Sequence, residues 1–127
     1  MKPETQNWIA LAAEDYEDSL YLFKGARHPN AVYHLCQAVE KILKAVQIER
    51  INQPPAHTHD LGSLARKSGL PFSEAQLTAL EELFRHYKKV RYRDYADRKY
   101  NTKAKVAPII KQGKELYQWI STSLSHP

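Results

Sequence analysis

A chain of 127 residues with 43% hydrophobic and 26% charged side chains has the composition of one globular domain with one modest core. Its net charge of +5 suits a polyanionic partner such as nucleic acid or a nucleotide, and its single cysteine, Cys36, excludes an intrachain disulfide. No window approaches the roughly 18 consecutive apolar residues of a membrane span, and MKPETQNW lacks the apolar core of a signal peptide, so a soluble cytoplasmic chain is expected.

From Thr5 to about Lys24, apolar and small residues recur at helical spacing: Trp8, Leu11, Ala12, Tyr16, Ser19, Leu20 and Phe23. Glu14, Asp15, Glu17 and Asp18 fall mostly on the other face, Thr5 or Asn7 caps the start, and Gly25 is the stop. The short loop Ala26–Pro29 implies an antiparallel neighbour. That neighbour runs from Asn30, as N-cap, to about Glu49, with Val32, Leu35, Cys36, Val39, Ile42, Leu43 and Val46 as its stripe. Gln37, Glu40, Lys41 and Lys44 populate its flanks, Glu40 and Lys44 at the favourable i,i+4 spacing.

Tandem Pro54–Pro55 excludes regular structure from Ile51 to His59. Asp60 caps a short helix, Leu61–Lys67, closed by Gly69. Ser73 caps a fourth helix with the stripe Leu77, Leu80, Leu83, Phe84, Tyr87 and Val90. Arg93 to Asn101 loses the periodicity and reads as a loop. Thr102 is the candidate cap of a closing helix running to about Leu124, whose regular part is expected from near Ala107, since proline beyond the first turn costs about 3 kcal/mol and Pro108 must be accommodated. The fold class is all-α: an up-and-down bundle of four long helices and one short one, in a single domain over residues 1–127.

The informative stretch is Arg85 to Lys105, RHYKKVRYRDYADRKYNTKAK, where nine cations face two aspartates for a net +7, leaving the remainder slightly acidic. Lys and Arg track phosphates, and interleaved tyrosines stack on unpaired bases. Lys88, Lys89, Arg91, Tyr92, Arg93, Arg98 and Lys99 are therefore the candidate nucleic-acid or nucleotide contacts. The competing reading is a helix end and loop whose tyrosines pack on the bundle or across a dimer interface.

His57-x-His59-Asp60, with His28, His34 and His86 elsewhere, has the atoms of a metal site but no second half-motif, so neither metal nor cofactor is expected. Cys36 lies on an apolar face and reads as a small buried hydrophobe. A metal-free ribonuclease needs only a base for the ribose 2′-hydroxyl and a cation for the phosphorane. Glu40, Arg91 and Asp94, with Gln37 beside them, are candidate lining of a polar cleft between the second and fourth helices.

The helix AVYHLCQAVEKILKAVQIE (Ala31–Glu49) resembles the signature helix of HEPN domains, above all in Gln37–Ala38–x–Glu40–Lys41–x–x–Lys44–Ala45. The resemblance continues in Trp8–Ala12–Asp15, in His59–Asp60–Leu61 and in Arg91–Tyr92–Arg93–Asp94. It implies a bundle of four to five helices, usually a homodimer, that binds RNA or a nucleotide. Many prokaryotic members stand beside a minimal nucleotidyltransferase as a toxin–antitoxin pair, so such a partner is implied too. Active members are metal-independent endoribonucleases with an Arg-x(4–6)-His motif, which relatives similar to this chain carry as Arg-Tyr-Pro-Asp-x-His. Here Arg91, Tyr92 and Asp94 match, Arg93 replaces the proline, and Ala96 stands at the histidine. The candidate catalytic residues are thus Arg91 and Asp94, with Tyr95 or Asp97 in place of the missing base, although a tyrosine pKa of about 10 suits that task poorly. Arg27-x6-His34 and Arg50-x6-His57 satisfy the bare spacing in the wrong part of the pattern. The expectation is a binding protein with a degenerate or atypical ribonuclease motif. The alternatives are an active endoribonuclease toxin and a non-catalytic helical module docked on a nucleotidyltransferase.

Overall fold

In the computed structural model, which describes residues 1–125, the chain is organised around a helix enclosed on every side. The elements are α1 (Pro3–Lys24), α2 (His28–Ile51), α3 (Leu61–Lys67), α4 (Glu74–Lys89), α5 (Arg93–Lys99) and α6 (Lys103–Ser125), with no strand among the described residues. Ile42 to Val46 of α2 are all buried. Five consecutive residues exceed the helical turn of about 3.6 residues, so no face of α2 reaches water there. α1, α3, α4 and α6 pack around it.

The α1–α2 pair is antiparallel and close. α1 begins at Pro3, earlier than a cap at Thr5 or Asn7 would place it, because proline is preorganised for the first helical position. The Lys2 ammonium donates to the Ile48 carbonyl at 2.8 Å, tying the start of α1 to the end of α2. The residues α1 buries are small or polar: Thr5, Ala12, Asp15 and Ser19. Ser19 Oγ donates to the Ala31 carbonyl at 2.7 Å, and Asp15, expected on the solvent face, is buried because Lys41 (2.5 Å) and His34 (3.1 Å) hold its two oxygens. Leu11, expected on the buried stripe, is 45% exposed.

Gly25 ends α1, but the left-handed residue that reverses the chain is Ala26, at φ 61°. α2 then starts at His28 rather than after Asn30; Arg27 is its N-cap and Pro29 occupies its first turn, where a missing N–H costs nothing. Asp60 and Ser73 cap α3 and α4 as expected. Ser73 does so within a reciprocal box, Gln76 N–H to Ser73 Oγ at 3.1 Å and Ser73 N–H to Gln76 Oε1 at 2.9 Å.

Two expectations need correction. Residues 93–99 form a second short helix rather than a loop; a seven-residue helix that buries only Ala96, with its C-cap Tyr100, leaves no legible stripe. The closing helix starts at Lys103, with Pro108 inside it rather than in its first turn. Pro108 and Ala104 are both exposed, so water can reach the carbonyl that proline leaves without a partner.

α6 approaches α2 at Gly113, where an added Cβ would stand 2.5 Å from Leu35 Cδ2 and 2.9 Å from its Cγ, inside a fully buried contact. Gly113→Ala is expected to lower the urea midpoint, because overpacking costs about 1–3 kcal/mol against a helix-propensity gain of about 1 kcal/mol. Cys36 is fully buried between α2 and α4, and burial pushes its thiol pKa far up, so native protein should react with a thiol reagent only as fast as it unfolds. His86 Nδ1 lies 2.9 Å from the Tyr100 hydroxyl, and burial, with Lys89 next, holds its pKa below the ordinary value. The unfolded chain therefore takes the proton first, so this stability is complete above about pH 6.5 and is lost as pH falls below it. Urea titrations should show that fall, and His86→Gln should make it shallower.

Candidate functional site

The helix end, turn and short helix built from residues 85–100 face the α1–α2 turn across a groove of about 520 Å³. Val90 and Ala96, both buried, form its floor, and Arg27, Arg91 and Arg93 line it. Asp97 is its one carboxylate, 4.0 Å from Arg93 Nε. Arg27 and Arg91 have no carboxylate partner among the described residues. Because Arg27 is the N-cap of α2 and Asn30 also lines the groove, the N-terminus of a 24-residue helix adds its dipole to the guanidinium charge. The groove has the donors an anion needs and keeps two of its three arginines unneutralised.

The remaining candidates divide. Tyr92, between Arg91 and Arg93 in the chain, is 70% exposed and free to stack. Tyr100 is buried against His86, and Tyr95 is half-buried beside it, so these rings belong to the bundle. Lys88 lies over the Phe84 ring (4.7 Å) and Lys89 over the Tyr95 ring (5.6 Å). Arg98 donates to the Asp94 carbonyl at 3.3 Å; the Asp94 carboxylate and Lys99 face solvent. Ala96, where the family pattern keeps histidine, is 3% exposed.

Next to the groove, α2 and α4 enclose a polar cluster. Glu40, expected on a solvated flank, is buried together with Lys44: Lys44 Nζ donates to Glu40 Oε2 at 2.9 Å and sits 5.8 Å from the Trp8 ring. The Tyr87 hydroxyl donates to Glu40 Oε1 at 3.1 Å, and burial drives the Tyr87 pKa far up, which keeps the phenol protonated. Gln37 Nε2 donates to Tyr33 Oη at 3.1 Å, and the Tyr33 ring leans on Tyr87 at 5.5 Å. His59, from the loop before α3, completes the cluster with Nδ1 2.7 Å from Glu40 Oε1. In the sequence His59 stands out only as an atom for a metal; the available signal for this role is that its His59–Asp60–Leu61 segment carries the same resemblance as Glu40 and Arg91. The histidines do not converge: His34 pairs with Asp15, His59 with Glu40 and His86 with Tyr100. Asp15, Asp18 and His34 approach one another, but the Lys41 ammonium already occupies Asp15 Oδ2.

Comparison with known proteins bears on this arrangement. The family model described as HEPN domain matches residues 5–123. Among solved structures, TT1696 from Thermus thermophilus superposes with a TM-score of 0.79 at 18% identity, covering 95% of this chain and 98% of that one. ST0689, an archaeal HEPN homologue, superposes with a TM-score of 0.75 at 20% identity, covering 98% and 99%. No curated protein sequence matches the chain. The structural likenesses show the fold, and the family match spans both the arginine groove and the Glu40 cluster: the chain belongs to the HEPN domain family.

Proposed function

We propose that this chain is a nucleotide- or RNA-binding HEPN protein that holds phosphates in the groove between the α1–α2 turn and α5. The observation that carries the reading is the pair of unneutralised arginines, Arg27 and Arg91, facing one cavity with Arg93 and a helix N-terminus. Arginine in such a place binds phosphate in bidentate fashion, and the exposed Tyr92 ring beside it offers a stacking surface for an unpaired base. Family membership supports a homodimer and a place as one half of a pair with a minimal nucleotidyltransferase. A cytoplasmic setting belongs to the same reading; no helix among the described residues is long and apolar enough to cross a membrane.

Fluorescence anisotropy with a labelled single-stranded oligoribonucleotide tests this. Binding should weaken steeply with salt. Arg27→Ala and Arg91→Ala should each weaken it and flatten the log–log salt slope by about 0.7 for every phosphate that is no longer neutralised. Binding that ignores salt, or survives the double substitution unchanged, overturns the reading.

A further inference from the structure

We infer that the cavity between the last turn of α1, the first residue of α2 and α6 is a binding site for a small organic anion with an apolar body. The inference uses none of the arginines of the groove and stands whether or not that groove holds phosphate.

The cavity measures about 490 Å³, within the range of about 300–1,000 Å³ that small-molecule sites occupy. It adjoins the arginine groove at the α1–α2 turn, where Ala26 is the one residue that lines both. Leu20 and Phe23, both half-buried, make its apolar wall. Its cations are Lys24, Lys103 and Lys114, and no carboxylate lines it. None of the three lysines has a carboxylate partner among the described residues. Lys114 follows Lys103 by about three helical turns, so α6 presents both on one face. The end of α1 does not oppose an anion here. Its Tyr21, Leu22 and Phe23 carbonyls already accept from the N–H groups of Gly25 (3.0 Å), Arg27 (2.8 Å) and Ala26 (3.1 Å).

His28 supplies a directional donor. The residue is 8% exposed, and its Nδ1 is shut off from water with no hydrogen-bond partner. A proton on Nδ1 would be an orphaned N–H, which folded proteins seldom leave buried, so in the neutral ring the proton belongs on Nε2. Nε2 is not enclosed in that way, and because His28 lines the cavity, Nε2 is the polar atom its ring offers a ligand. Phe23 holds the ring edge-on, with centroids 5.8 Å apart and 63° between the planes.

A nearly buried imidazole with a free donor thus stands among three unneutralised lysines and beside an apolar wall. A carboxylate or phosphate head satisfies the lysines and Nε2, while a hydrocarbon body covers Leu20 and Phe23. A bare inorganic anion meets the first need and leaves the wall wet. Lysine is a point charge without the planar fork of arginine, so these cations set the sign of the head rather than its shape.

Titration calorimetry and amide chemical-shift mapping on the full chain test this, with 2-naphthoate as the probe. Naphthoate should bind and shift the amides of residues 20–28 and 103–114. The uncharged 2-naphthylmethanol should bind at least about tenfold more weakly, and acetate, the head without the body, should not compete. 2-Naphthyl phosphate should shift the same amides, and the tighter of the two anions names the head. Lys103→Gln and Lys114→Gln, both at exposed positions, should each weaken naphthoate about two- to fivefold. His28→Phe should weaken it without lowering the melting temperature, since it also removes the orphaned nitrogen, and Arg91→Ala should leave it unchanged. No shift of these amides at millimolar naphthoate overturns the inference. Equal affinity for the uncharged probe also overturns it, because the site then reads only apolar surface. Binding that falls with Arg91→Ala and ignores the lysine substitutions places the anion in the groove, which overturns this inference and supports the phosphate-binding one.

Discussion

Glu40 and Lys44 form an ion pair within the protein interior, one turn apart on the helix that every other long element covers. Withdrawing two charges from water is costly, and such a pair survives only when the geometry is good and the remaining lone pairs find donors. Here they do: Tyr87 reaches the carboxylate from α4 and His59 from the loop before α3, while Trp8 of α1 covers the ammonium. The pair therefore fixes how α1, α2, α4 and the α2–α3 loop sit relative to one another. A non-directional apolar contact among the same four segments would leave that register less defined.

Charge is segregated around this centre. α1 carries Glu4, Glu14, Asp15, Glu17 and Asp18 against Lys24, whereas residues 85–105 carry the cations. Only part of that cationic stretch faces one place. Arg91 and Arg93 join Arg27 at the groove, while Lys88 and Lys89 lie on aromatic rings, and Tyr87 and Tyr100 are core residues whose place in the basic run is incidental to binding. A count of basic residues along the chain therefore overstates the number available to one ligand.

The family pattern and the structure differ in what each says about chemistry. Ala96 lies at the floor of the groove, so the position where relatives keep a histidine is filled by a methyl group that closes the bundle. The histidine that a buried carboxylate does hold, His59, comes from the loop before α3 and does not line that groove.

What the sequence determined by itself was everything governed by local rules. The 3.6-residue period placed four long helices, the side chains of Asp60 and Ser73 marked two starts, and the HEPN resemblance identified the family. It went wrong where a local signal was weak or overruled. α5 is too short to show a period, Pro108 is tolerated because its face is wet, and Asp15, Glu40 and Lys44 look like surface residues until their partners are known. The tertiary structure alone decided which cations share a cavity, that Glu40, His59 and Tyr87 meet, and that Arg91 lies over the Tyr87 ring. The Glu40 contacts reach 19 residues along the chain to His59 and 47 to Tyr87. Their stability comes from burying a charge among specific donors, which no pattern along the chain encodes.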